Sequence, residues 1–205
     1  MKKRKSIVPH DAGVSGENAG QAGFYTIDIT PSLGMEGPGG YGKIYITSIH
    51  DPLKVRAAVI SDGKERAAIV GIDSLVVRSP EDVNEIRSEI EKRTGIKSDA
   101  ILIAASHTHS GGPFSGMLEE EYEDAPGLIK TLIKEHSTIP DPVYCEYVKK
   151  QIVTAVCEAD RRRVPAVISA GKGFENSVVF NRRFRMKSGR TYTHPGKGNK
   201  DILEP

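Results

Sequence analysis

The sequence predicts an α/β protein with a mixed sheet, flanking helices and long loops at the carboxyl edge of the sheet. Two apolar stretches typical of strands, residues 66–72 and 100–105, are separated by a helical pattern over residues 80–94. A helix that connects two strands in this way predicts a β-α-β unit with parallel strands and a right-handed crossover. Residues 55–60 and 66–72 flank Asp62-Gly63, which is a strong hairpin signal. Antiparallel and parallel pairing in one sheet therefore predict the mixed class.

The crossover helix has clear start and stop signals. Ser79 stands where an N-cap is expected, Pro80 suits the first turn, and Gly95 suits a C-terminal stop. The inner face is predicted to carry Val83, Ile86 and Ile90. The solvent face is predicted to carry Glu81, Asp82, Glu85, Lys92 and Arg93. These charged side chains are interpreted as an ordinary solvent-exposed surface without a functional role.

Three further elements complete the predicted fold. Residues 24–30 alternate as a strand should, a long helix is predicted over residues 142–161, and another strand over residues 166–170. The packing face of the long helix is predicted to comprise Tyr144, Val148, Ile152 and Ala155. Residues 1–22 lack periodicity and are predicted to be a flexible extension, which leaves the fold to residues 23–205.

A long connection, residues 113–141, follows the central strand and has helical character around residues 128–133. Such a segment is either a lid over a site or an ordinary surface excursion. His136 lies within it and is not expected to take part in chemistry.

Composition excludes several classes of partner. Twenty-nine basic and 27 acidic residues give a formal net charge of +2, which predicts no nucleic-acid partner and no membrane partner. No apolar run approaches the ~20 residues of a transmembrane helix, and no signal peptide is visible. Cys145 and Cys157 fall in one helix roughly 18 Å apart, too far to form a disulfide. The default expectation is a reducing, cytoplasmic compartment.

The stretch with the strongest chemical signal is 106–113, directly after the central apolar strand. Strand geometry would project His107 and His109 in the same direction, so the two imidazoles are predicted to converge. Imidazole is the commonest side-chain metal ligand, and Ser110, Gly111 and Gly112 would let a substrate approach closely. A catalytic zinc usually has three protein ligands, so at least one more ligand must come from elsewhere.

Two other stretches are candidates for the same sheet edge. Asp73 follows a strand parallel to the one before His107, so it is expected at the same edge, either orienting a histidine or serving a turn. Residues 33–42 contain five glycines and form either a plain surface loop or a wall of the active site.

In these pieces the chain resembles the neutral, non-lysosomal ceramidase family. The matching pieces are Ile29-Thr30-Pro31 with Gly34, Gly40-Tyr41-Gly42, Asp51-Pro52-Leu53 with Arg56-Ala57, Gly71-Ile72-Asp73, His107-Thr108-His109-Ser110-Gly111, and Asn181-Arg182. They run in family order from about residue 23 almost to the end. The His-Thr-His-Ser-Gly element is the most specific of them.

The resemblance implies roles for three residues. It implies that His107 binds a catalytic Zn²⁺ and that His109 lies beside the reacting amide. Arg182 is the candidate for the arginine that contributes to the site, with Arg183 as the alternative. The family's other zinc ligands, a His, a Glu and a Tyr, are expected beyond the present chain. The chain is thus expected to be the N-terminal part of a catalytic domain, which needs a C-terminal segment to complete its site.

The implied function is zinc-dependent hydrolysis of the amide bond of N-acylsphingosine or of a smaller amide. One alternative is a metal hydrolase of another His-x-His class, although Ser110-Gly111-Gly112 departs from the β-lactamase pattern. Amidohydrolases place the motif on an early barrel strand, whereas a hairpin and a β-α-β unit precede it here. A further alternative is a binding or vestigial module that keeps the fold without chemistry.

Overall fold

The structure is a computed structural model. It describes residues 20–40, 42–118, 121–169, 171–175 and 181–204. The strands are β1 (Gln21–Asp28), β2 (Glu36–Gly37), β3 (Ile44–Tyr45), β4 (Lys54–Ser61), β5 (Arg66–Ile72), β6 (Ile101–Ala105), β7 (Val164–Pro165), β8 (Arg183–Met186), β9 (Thr191–Thr193) and β10 (Ile202–Glu204). The α-helices are α1 (Pro80–Thr94), α2 (Gly127–His136) and α3 (Pro142–Arg161).

The chain divides into two compact units, residues 1–168 and 169–205. The described part of the first unit is built on a five-stranded sheet of order β6-β5-β4-β1-β7. Strands β5 and β6 are parallel, while β4 pairs antiparallel with both β1 and β5. The mixed sheet and the β-α-β unit β5-α1-β6 confirm the predicted α/β class.

The β4–β5 hairpin forms as its Asp-Gly signal predicts. The Asp62 carboxylate accepts hydrogen bonds from the backbone N–H groups of Lys64 and Glu65, each at 2.8 Å. Gly63 adopts φ 92°, a left-handed conformation that glycine tolerates without a steric penalty. This turn fixes the register in which Val59 pairs with Ala68.

One face of the sheet packs against α1 and α3 and forms the core. The core residues from the central strands are Val55, Ala57, Val59, Ala68, Val70, Ile72 and Ile101, and those from the helices include Ile86, Ile90, Val148, Ile152 and Val156. Burying a side chain of this size stabilises the fold by about 1.5–3 kcal/mol. The opposite face carries a row of paired residues across four strands, Phe24, Ala58, Ile69 and Leu102.

Helix α1 has the predicted caps but not the predicted solvent face. The Ser79 hydroxyl accepts from the Asp82 backbone N–H at 3.2 Å, and Gly95 ends the helix at φ 74°. Asp82, however, is buried, because it forms ion pairs with Arg78 and with Lys149 of α3. The prediction that Asp82 lies in solvent was wrong.

Helix α3 spans the predicted range and buries the predicted side chains. Tyr144, Val148, Ile152 and Ala155 are all at most 4% exposed. Cys145 and Cys157 are both free thiols, and burial raises the pKa of each. Neither thiol is therefore activated as a thiolate by its surroundings.

Two strand predictions need adjustment. Strand β1 begins at Gln21, ahead of the predicted residue 24, and ends at Asp28. The predicted strand over residues 166–170 is wrong in its described part: β7 is instead Val164–Pro165, and Ala170 lies outside the described residues. The physical reason is that β1 starts at Gln21, so among the described residues the pairing past Pro165 is reduced to the bond from the Ala166 N–H to the Gly20 carbonyl at 2.8 Å.

The described part of the second unit contains a three-stranded antiparallel sheet of order β10-β8-β9. Asn181 lies just before β8, and its side-chain oxygen accepts from the Arg183 backbone N–H at 3.0 Å. This Asx turn places Arg182 at its centre, with an exposed side chain.

Candidate functional site

The two histidines lie just beyond the carboxyl end of β6, beside the end of β5. Strand pairing continues one step past β6, since the Ser106 N–H donates to the Ile72 carbonyl at 2.9 Å. The backbone then turns sharply, because His107 adopts φ 60° in the left-handed region. The convergence of the histidines was predicted, but strand alternation was the wrong reason for it. A left-handed turn produces it instead.

The two imidazole rings face each other edge to face. The Nε2 atoms of His107 and His109 are 3.4 Å apart, and the ring centroids are 5.0 Å apart at an interplanar angle of 83°. Both residues are exposed, so their facing nitrogens are open to solvent and to a ligand.

Backbone carbonyls fix the protonation pattern of both rings. The Nδ1 of His107 lies 2.8 Å from the Leu75 carbonyl oxygen, and the Nδ1 of His109 lies 2.7 Å from the Gly39 carbonyl oxygen. A carbonyl oxygen only accepts, so each Nδ1 must carry the proton. In the neutral rings both Nε2 atoms then carry lone pairs, and these two nitrogens lie 3.4 Å apart. Such an arrangement suits a cation, and Nδ1 donation to a carbonyl is typical of metal-binding histidines.

The glycine loop forms a wall of this site, which decides between the two roles considered for residues 33–42. Gly39 adopts φ 102°, and a Cβ built on it would lie 2.8 Å from the His109 ring. The loop therefore contacts the imidazole directly through a position that has no room for a side chain.

Asp73 has the structural role rather than the orienting one. Its Oδ2 accepts from Arg56 Nη1 at 2.8 Å and from the Lys54 backbone N–H at 2.9 Å. These bonds join the end of β5 to the start of β4. The group that orients His107 is the backbone carbonyl of Leu75, two residues after Asp73.

The segment after the histidines is buried against α3. The Tyr144 hydroxyl donates to the Ile29 carbonyl at 2.6 Å, and its ring lies against Gly112. Burial raises the pKa of Tyr144 well above its ordinary value, so the phenol stays protonated and remains a donor. The floor of the site is thus a fixed part of the core.

A cleft of about 410 Å³ adjoins the carbonyl groups that hold the histidines. Its lining residues are Pro38, Gly39, Gly40, Leu75, Gly116, Met117, His136, Ser137 and Thr138. His136, which was expected to take no part in chemistry, lines this cleft at the end of α2. The residues around His136 in the sequence gave no indication that it lines the cleft. The segment that contains His136 reaches the glycine loop through tertiary hydrogen bonds, such as the one from the Ile139 N–H to Glu36 at 3.0 Å.

The third predicted site residue, Arg182, lies in the second compact unit. Its backbone carbonyl accepts from the His194 N–H at 3.1 Å, and its side chain is exposed. The structure thus brings His107 and His109 together, while the role of Arg182 stays a prediction.

Within the described ranges, no cluster of three or more His, Cys, Asp or Glu side chains forms a metal site. The metal-binding groups that converge at the candidate site are the imidazoles of His107 and His109. Across the same ranges, no helix has the length and apolar character needed to cross a membrane.

Solved structures of ceramidases resemble the chain. The neutral ceramidase from Pseudomonas aeruginosa is 18% identical, with a TM-score of 0.50, and the match covers 72% of this chain and 22% of that chain. A ceramidase complexed with C2 is 20% identical, with a TM-score of 0.49 and the same coverage. The chain therefore spans less than a quarter of the length of these ceramidases. No family model and no curated protein matches the chain.

The first-unit sheet and helices define an α/β protein with a histidine pair at the carboxyl edge of its parallel strands. More particularly, the likeness to the Pseudomonas aeruginosa enzyme shows that the chain has a ceramidase-like fold. At this level of identity, the likeness concerns the fold alone.

Proposed function

We propose that the chain carries part of the active site of a zinc-dependent, ceramidase-like hydrolase of amide bonds. The observation that carries the proposal is the 3.4 Å separation of the His107 and His109 Nε2 atoms, with both Nδ1 protons donated to carbonyls. The ceramidase-like fold supports the same class of reaction.

The residues present fit a zinc ion. Neutral imidazole is a preferred zinc ligand, and His107 is held by a backbone carbonyl in the tautomer that leaves Nε2 free. When bound, zinc supplies Lewis-acid polarisation of a carbonyl and lowers the pKa of water to about 7. Further ligands must come from outside the histidine pair, because a catalytic zinc site usually has three protein ligands.

Residues of the chain itself would carry out proton transfer and stabilisation of the developing charge. His109 accepts or donates a proton at Nε2 beside the reacting amide, since its Nδ1 is committed to the Gly39 carbonyl. Arg182 supplies positive charge for the oxyanion or anchors a polar group of the substrate. Gly112 does not leave room for a substrate as the sequence predicted, because the Tyr144 ring fills the space where its side chain would lie.

The substrate is an amide with an acyl chain, either N-acylsphingosine or a smaller amide. The cleft beside Gly39 and Leu75, about 410 Å³, has the size of a pocket that accepts part of such a molecule.

A hydrolysis assay tests this proposal. A longer form of the chain that carries the further zinc ligands is incubated, with and without added Zn²⁺, with fluorogenic N-acylsphingosine and with a short-chain N-acyl amide. We expect zinc-dependent turnover that His107→Ala abolishes and His50→Ala leaves unchanged, because His50 is an exposed histidine that pairs with its neighbour Asp51. Zinc binding without turnover would favour a binding module of the same fold. Turnover that His107→Ala leaves unchanged would contradict the assigned role.

A further inference from the structure

The turn that follows β5 determines where the Leu75 carbonyl points. Ser74 in this turn is 2% exposed. Its N–H donates to the Ile72 carbonyl at 3.0 Å, and its hydroxyl donates to the Val76 carbonyl at 2.8 Å. These two bonds fix the backbone on either side of Leu75. The Leu75 carbonyl itself accepts a hydrogen bond from His107.

This turn is packed under the histidine loop as well. A Cβ built on Gly111 would lie 3.5 Å from the Ser74 Cα and 3.8 Å from the Asp73 carbonyl oxygen. A side chain at residue 111 would thus be in ordinary van der Waals contact with this turn, so the Ser74 turn lies directly beside the histidine loop. The hydroxyl of Ser74 is therefore the side-chain group that holds the carbonyl serving His107.

The Gly39 carbonyl orients His109 in the same way as the Leu75 carbonyl orients His107. Its carbonyl accepts from His109 Nδ1 at 2.7 Å. Its φ of 102° is unfavourable for any residue with a Cβ, and a Cβ there would lie within 2.9 Å of three atoms of His109. Any side chain at residue 39 would thus displace the imidazole from the carbonyl that orients it.

We propose that Ser74 and Gly39 are positioning residues that lock His107 and His109, respectively, in the Nδ1–H tautomer. This tautomer leaves a lone pair on each of the two Nε2 atoms, which lie 3.4 Å apart. The importance of this point for catalysis rests on the proposed function, whereas the tautomer itself is a property of the metal-free chain. In neutral imidazole one nitrogen carries the proton and the other does not, so the two tautomers can be distinguished by spectroscopy.

The experiment is two-bond ¹H–¹⁵N correlation NMR on the metal-free, ¹⁵N-histidine-labelled chain at a pH where the rings are neutral. In the unmodified chain, we expect the Nδ1–H pattern for both His107 and His109. Ser74→Ala should remove that pattern from His107 and leave His109 unchanged, because only the Leu75 carbonyl loses its support. Ser74→Thr, which keeps a hydroxyl, should restore the pattern.

A matched control separates this role from general destabilisation. Ser115 is also buried, at 4% exposure, and its hydroxyl has no hydrogen-bond partner in the described part of the chain. Ser115→Ala should therefore leave both tautomers as they are. If Ser74→Ala also leaves the Nδ1–H pattern of His107 intact, the positioning role of Ser74 is wrong.

Gly39 provides a second arm that does not depend on Ser74. Gly39→Ala should remove the Nδ1–H pattern from His109 and leave His107 unchanged. Gly34→Ala is the control, because Gly34 also has a positive φ, 85°, but a Cβ built on it would have no atom within 4 Å. An unchanged His109 in Gly39→Ala, or an equal change in Gly34→Ala, would overturn the role of Gly39.

Zinc titration of the same variants, made in a longer form of the chain that carries the further zinc ligands, keeps the two proposals apart. We expect Ser74→Ala to lower zinc affinity by about tenfold, as loss of a residue that orients a ligand typically does. Tautomers that respond as expected in a chain that binds no zinc would support the positioning roles and contradict the proposed function. The reverse pattern, zinc binding with unaffected tautomers, would contradict the positioning roles alone.

Discussion

Tyr144 occupies the space where a side chain at residue 112 would lie. A Cβ built on Gly112 would be 2.5 Å from Cζ and 2.6 Å from the hydroxyl oxygen of Tyr144. The glycine after the histidine motif is thus required by helix α3. Its absence of a side chain lets the loop of the candidate site pack directly on the core.

Gly112→Ala should therefore destabilise the fold. The methyl group must displace a buried ring whose hydroxyl donates to Ile29, and overpacking of this kind costs about 1–3 kcal/mol. Urea unfolding followed by circular dichroism measures the free energy of unfolding. The control is Gly71→Ala in β5, where no atom lies within 4 Å of the added Cβ. Equal stability of the two variants would mean that Gly112 is not constrained by Tyr144.

Lys149→Met should destabilise the packing of α1 on α3. The Lys149 Nζ lies 2.6 Å from Glu85, 2.6 Å from Glu146 and 3.4 Å from buried Asp82. Burial alone would lower the pKa of Lys149, but its bonds to Glu146 and Glu85 raise it, so it is charged at neutral pH. Removing this cation leaves Asp82 with Arg78 as its ion-pair partner, which should cost about 1–3 kcal/mol.

The comparison for Lys149 is Lys97→Met, followed by thermal or urea unfolding. Lys97 is 78% exposed and pairs with Glu91 at 3.2 Å, so its loss should change stability by no more than about 0.5 kcal/mol. A Lys149 variant that is as stable as the Lys97 variant would show that the ion pairs of Lys149 contribute little to stability.

The pKa of Asp28 should depend on its ion pair with Lys54, which links β1 to β4. The hydrogen bond from Lys54 Nζ, 2.5 Å long, lowers the pKa of Asp28 against the opposing effect of burial, and the Thr30 N–H adds to the lowering. A depressed folded-state pKa stabilises the fold above the ordinary carboxyl pKa. That contribution is lost as the pH falls through the folded-state pKa.

Lys54→Met should accordingly raise the pKa of Asp28 toward 3.8, as measured by ¹³C NMR of the carboxyl carbon. Lys43→Met, which removes a lysine paired with Glu36 instead, should leave the Asp28 titration as it is. An unchanged titration in the Lys54 variant would contradict the assigned cause.

The sequence predicted those features whose causes are local. The caps of α1 at Ser79 and Gly95, and the hairpin at Asp62-Gly63, depend on residues a few positions apart, and they formed as expected. The burial of Asp82 was missed because its partner Lys149 is on another helix. No pattern within α1 indicates that contact.

The candidate site was predictable in its residues but not in its construction. The spacing of His107 and His109 indicated convergence, yet the groups that orient the rings are the carbonyls of Leu75 and Gly39. A backbone carbonyl carries no sequence signature, since every residue has one. Only the fold reveals which carbonyl lies within reach of an imidazole. The density of glycines around Gly39 was a partial signal, because a positive φ such as the one Gly39 adopts favours glycine.

Calorimetric titration with Zn²⁺ of a longer form of the chain that carries the further zinc ligands tests most directly whether His107 belongs to a metal centre. We expect the unmodified chain and His50→Ala to bind zinc alike, and His107→Ala to weaken binding by at least about tenfold. An unmodified protein that binds no zinc, or a His107→Ala variant that binds zinc as tightly as the unmodified protein, would contradict the assignment of His107 to a metal centre.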